Sequence, residues 1–76
     1  MTAMVSRSDA LLHAPLLQAE RQLAEAEERR GEQMRVLSRL PQGSPARAYA
    51  EHVLNEIDRT IVLSRMHHEL IQNLLA

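Results

Sequence analysis

The 76-residue chain contains no cysteine, no lysine, no tryptophan and no phenylalanine. Without cysteine there is no disulfide framework, no thiol nucleophile and no cysteine-ligated zinc. Tyr49 is the single aromatic residue, so base-stacking platforms and aromatic cages are excluded, and a haem or flavin slot would be poor in ring contacts. Gly31 and Gly43 are the only glycines, too few and too far apart for a P-loop or a dinucleotide fingerprint. No apolar run approaches the roughly 20 residues needed to cross a bilayer, because Arg59, Arg65 and the His67-His68 pair interrupt the longest candidate. The stretch from Met1 to Asp9 has no charged region followed by an apolar one, so a secretory signal is not expected and the expected compartment is the cytoplasm.

The charges that are present balance. Nine basic residues, all arginine, stand against ten acidic ones for a net charge of −1. All-arginine usage without clustering fits a G+C-rich coding bias. Because the two signs are interspersed, the sequence carries no nucleic-acid footprint, and with one aromatic and no lysine it lacks the makings of a membrane-surface helix. A chain of this length forms one small domain at most and buries only about 60% of the surface its unfolded form exposes. Self-association is therefore an expectation from size alone.

One break organises the chain. Residues 41 to 45, Pro-Gln-Gly-Ser-Pro, hold two of the three prolines and one of the two glycines. Gly43 suits the left-handed residue past a helix end, Ser44 an N-cap and Pro45 the first position of a new helix. The reading is a flexible tail over residues 1–8, then a single helical hairpin over 9–76. Its first helix is expected at about 15–39, its turn at 40–44 and its second helix at about 45–75. Ser8 can cap a short turn through Leu12, which Pro15 would kink away from the helix proper or separate from it.

The first helix carries a thin apolar stripe: Leu16, Ala19, Leu23, Ala26, Gln33/Met34, Leu37 and Leu40, spaced by three and four. Arg30 occupies the heptad place between Leu23 and Leu37, and Gly31 beside it lowers helix propensity by about 1 kcal/mol relative to alanine. On the outer side, Glu25-Arg29, Glu27-Arg30 and Glu32-Arg35 are spaced for pairing within the helix. The second helix is richer. One stripe runs Ala50, Val53, Leu54, Ile57, Ile61, Ser64, His68, Ile71 and Leu75; another, on the adjoining face, runs Tyr49, Thr60, Leu63, His67, Leu70 and Leu74. That surface is wider than one antiparallel neighbour can cover. Leaving even four of its aliphatic side chains in water forgoes several kcal/mol at about 1.5 to 3 kcal/mol each.

The expected fold is thus all-α, an antiparallel two-helix hairpin pairing into a dimeric four-helix bundle, with the second helix central and the charged first helix outside. The expected dimer interface is Leu54, Ile57, Ile61, Leu63, Leu70, Ile71 and Leu74, while Leu16, Leu23, Leu37 and Leu40 pack within the hairpin.

The candidate chemistry is sparse. Arg65-Met66-His67-His68-Glu69 is the densest titratable cluster. A His-Glu pair on a dimerising hairpin is similar to the phosphoacceptor box of sensor histidine kinases, which implies His68 as phosphoacceptor and Glu69 as the assisting carboxylate. In that family the box lies on the first helix and an ATP-binding domain follows, whereas here seven residues follow Glu69. The competing account makes His67 and His68 seam residues that set register or oligomer state. His52 and Glu56, four apart, could share a divalent ion, but two ligands are too few; His67 lies about 22 Å along the helix, and only His13 or a second copy could complete a site. Ser38, Ser44 and Ser64 have no glycine elbow, base or oxyanion loop around them. A nucleic-acid reading would rest on Arg29, Arg30, Arg35 and Arg39.

The run Gln18-Ala19-Glu20-Arg21-Gln22-Leu23-Ala24-Glu25-Ala26-Glu27, then Met34 to Leu40, the glycine-containing turn and the Leu/His-rich stretch Ala50 to Ile71 resembles short, uncharacterised bacterial α-hairpin proteins. The likeness covers about residues 16 to 72 and implies a hairpin, with no activity, substrate or functional residue to carry over. The functional expectation is a small non-catalytic interaction or adaptor protein that needs no cofactor or metal. It acts as a homodimer, or on another helical protein, through helix-face recognition, without nucleic acid or membrane.

Overall fold

The computed structural model describes residues 7–75, and side chains from Leu11 onward. Two helices make up the described chain: α1, Arg7–Ser38, and α2, Pro45–Leu75, packed along each other as an antiparallel hairpin. Neither is long and apolar enough to cross a membrane.

The turn is built as its residues dictate. Arg39 and Leu40 donate their N–H groups to the carbonyls of Val36 and Leu37, tightening the end of α1. The chain then reverses through Pro41–Ser44, where Ser44 N–H bonds back to the Pro41 carbonyl at 3.2 Å and Gly43 has φ +79°, the third-position conformation that glycine takes without strain. Gly43 therefore serves this four-residue turn; it does not close α1, which ends five residues earlier. The Ser44 hydroxyl accepts the N–H of Arg47 at 3.1 Å, the N-cap geometry. Arg47 reaches back and donates to the carbonyls of Leu37 and Leu40 at 3.2 and 3.0 Å. One guanidinium thus ties the first turn of α2 to the last carbonyls of α1.

The two seams keep a regular alternation of three and four. On α1 it runs Leu12, Leu16, Ala19, Leu23, Ala26, Arg30, Gln33 and Leu37, continued just past the helix by Leu40; on α2 it runs Arg47, Ala50, Leu54, Ile57, Ile61, Ser64, His68, Ile71 and Leu75, all buried or half-buried. Among the described residues the buried apolar positions are Ala19, Ala26, Ala50, Ile61 and Ile71. The buried seam positions of α1 are the alanines Ala19 and Ala26, while α2 contributes the bulkier Ile61 and Ile71 beside Ala50.

The start of the first helix corrects the expectation of about residue 15. α1 begins at Arg7 and passes through Pro15, although the proline removes one backbone bond within it. Leu12, Pro15 and Leu16 are half-buried, and the helix register sets them level with the last turns of α2, so packing outweighs the lost bond. With 32 and 31 residues the helices are matched in length, and α2 does not overhang. The expected tail over 1–8 lies outside the described residues except for Arg7 and Ser8, which are helical.

Candidate functional site

Seven residues were expected at a self-interface, and the hairpin divides them. Ile61 and Ile71 are buried against α1 at 5% and 4% exposure, and Leu54 and Ile57 are half-covered on the same seam. These four belong to the hairpin's own core, because the α1 stripe is continuous enough to occupy that face. Leu63, Leu70 and Leu74 lie on the far side of α2, at 60%, 58% and 58% exposure, and Met66 joins them at 60%; Val62, 55% exposed, sits on the flank between this face and the groove toward α1. At about 100° per residue this second face points away from α1. The result is one continuous apolar strip over the C-terminal half of α2. A shallow hollow of about 510 Å³ on this face is lined by Met66, His67, Glu69, Leu70 and Asn73.

Between the helices lies an open groove of about 530 Å³, lined by Glu27, Arg30, Gly31, Asp58, Ile61, Val62 and Arg65. Its charged walls are paired with each other. Arg30 donates through Nε to Asp58, and Arg65 donates to Glu27 at 3.3 Å. These pairs replace the expected Glu27-Arg30 contact within the first helix. Charges at the hairpin edge find partners across it, 28 and 38 residues away in sequence, because the seam position of Arg30 aims its side chain at α2. Gln33 likewise donates to the Ala50 carbonyl at 3.0 Å. Sequence reasoning missed these cross-helix contacts; the signal was the polar residue in an otherwise apolar three-four repeat.

The histidines separate. His67 is exposed on the outer face of α2. His68 faces α1 with its side chain 20% exposed, its Nε2 3.8 Å from a Glu20 carboxylate oxygen. That nitrogen is buried without a hydrogen-bond partner, so it is not presented to an incoming phosphoryl group, and Glu69 projects from a different face and is exposed. His13 and His52 are also exposed. Glu56, the proposed companion of His52, lies 3.7 Å from the Arg59 guanidinium, and among the described residues no three His, Cys, Asp or Glu side chains come together as a metal cluster. Of the four arginines of the nucleic-acid reading, Arg30 is held by Asp58, while Arg29, Arg35 and Arg39 are exposed.

Among the described residues, the outer strip of α2 gathers five large apolar side chains that are each more than half exposed. Comparison with protein-family models, with curated proteins and with solved structures finds no match to this chain.

Proposed function

We propose that this chain is a small, non-catalytic helical interaction protein that self-associates through the outer face of α2. The observation that carries the reading is the strip Val62, Leu63, Met66, Leu70 and Leu74, each 55–60% exposed and adjacent at helical spacing. Isolated surface leucines are ordinary, whereas contiguous apolar patches mark interaction sites. Ten such half-exposed side chains from two copies offer on the order of 10 kcal/mol of burial, comparable with the estimated cost of about 4 to 15 kcal/mol for bringing two molecules together. The association is accordingly expected to be reversible and concentration-dependent.

Since the strip lies opposite α1, joining two copies there gives four helices with both α2 segments central and both α1 segments outside, a row more than a square bundle. The proposed setting is the cytoplasm; a chain without cysteine draws nothing from an oxidising compartment. An adaptor role for another helical protein would use the same face.

The test is sedimentation across a concentration series, with Leu70→Glu as the variant. The parent is expected to pass from monomer to dimer while Leu70→Glu stays a folded monomer by circular dichroism. A parent that remains a folded monomer throughout overturns the reading.

A further inference from the structure

Resting on the self-association just proposed, we infer that the two copies of α2 pair antiparallel, about a two-fold axis that passes beside Met66. The outer face continues the three-four spacing along the helix as His52, Glu56, Arg59, Leu63, Met66, Leu70 and Asn73, every one exposed. Its N-terminal half is polar and charged; its C-terminal half is apolar. That asymmetry decides between the two symmetric ways of laying one strip on another.

In a parallel pair the axis runs along the helices, and every residue meets its own copy. Arg59 would then oppose Arg59 of the second copy, and Glu56 would oppose Glu56, in the turns just before the apolar strip. Like charges directly opposed in an interface disfavour that arrangement. In the antiparallel pair the axis crosses the helices, and residues equidistant from it meet. Leu63 lies over Leu70 of the second copy, Met66 meets Met66, and Arg59 faces Asn73, whose amide oxygen can accept from a guanidinium. Glu56 falls opposite position 76 and meets no second glutamate. On one flank Val62 lies along Glu69 of the second copy; on the other, Leu74 lies beside Thr60 and the two His67 side chains flank the axis.

The overlap runs from about residue 57 to 75, which at 1.5 Å per residue is about 28 Å of helix. All five exposed apolar side chains of the strip fall inside it. The hollow lined by Met66, Leu70 and Asn73 lies against the axis, where the Met66 and Leu63 side chains of the second copy enter. Opposed helix dipoles favour the same arrangement.

The absence of native cysteine allows one spin label per chain. In the full-length His52→Cys variant, His52 being exposed and outside the overlap, antiparallel pairing puts the two labels about 42 Å apart along the helix direction. Parallel pairing puts them on adjacent helices whose axes are about 8 to 10 Å apart. Pulsed dipolar spectroscopy on a sample shown by sedimentation to be dimeric is expected to give a distance near 40 Å. A dimer with labels closer than about 20 Å overturns the antiparallel pairing and leaves self-association standing. A sample that stays monomeric at every concentration overturns the self-association beneath it, and the orientation with it.

Discussion

Arg30 stands at a seam position between Ala26 and Gln33 and keeps it by reaching across to Asp58. With 42% and 43% of the two side chains exposed, the pair contributes at most about 1 kcal/mol. Arg30→Glu is expected to lower the urea midpoint, and adding Asp58→Arg to recover it, with a coupling of less than about 1 kcal/mol in the double-mutant cycle. Ile61 behaves differently. Read from the sequence as a dimer residue, it is 5% exposed within a single hairpin. Ile61→Ala is expected to cost about 2 to 5 kcal/mol in denaturant titration. Ile61→Asp is expected to melt the helix pair at any protein concentration, because it buries an unpaired charge between α1 and α2. The alternation of apolar residues put Ile61 on one apolar stripe of α2, but two faces of α2 are apolar, and spacing alone does not say which of them α1 takes.

At the scale of the element, each glycine has a different status. A Cβ added at Gly31 meets only the Arg35 guanidinium, at 3.8 Å, so nothing in the packing requires glycine there. Gly31→Ala is expected to raise stability by about 0.5 to 1 kcal/mol, read as a higher thermal midpoint. Gly43 has open space around it but φ +79°, and Gly43→Ala is expected to destabilise the hairpin by about 1 kcal/mol through strain in the turn. The turn and α2 were readable because proline, glycine and serine each impose a local conformation. The start of α1 was not, because Pro15 signals a helix boundary locally while Leu12 and Leu16 hold the preceding turns through packing against the other helix.

For the molecule as a whole, the hairpin satisfies one face of α2 and leaves the other in water. If that outer strip binds a second copy, folding and association are linked by mass action. The thermal midpoint of the parent is then expected to rise with protein concentration, and that of Leu70→Glu to stay fixed, as calorimetry over a tenfold concentration range would show. The excess apolar surface of the second helix was visible in its two adjoining stripes. Its location on the C-terminal half alone was visible only once Leu54, Ile57, Ile61 and Ile71 had been assigned to the hairpin, leaving Leu63, Met66, Leu70 and Leu74 outside.

What the sequence by itself determined was the number of helices, the turn and the presence of more apolar surface than one hairpin hides. All of these follow from periodicity and from residues with strong local preferences. Only the tertiary structure decided which stripe of α2 faces α1, that the α1 helix continues through Pro15, and that Arg30 and Glu27 pair across the hairpin with Asp58 and Arg65. Those outcomes depend on how two surfaces compete for the same neighbour. That competition is settled by the register and rotation of one helix against the other, which no local propensity encodes.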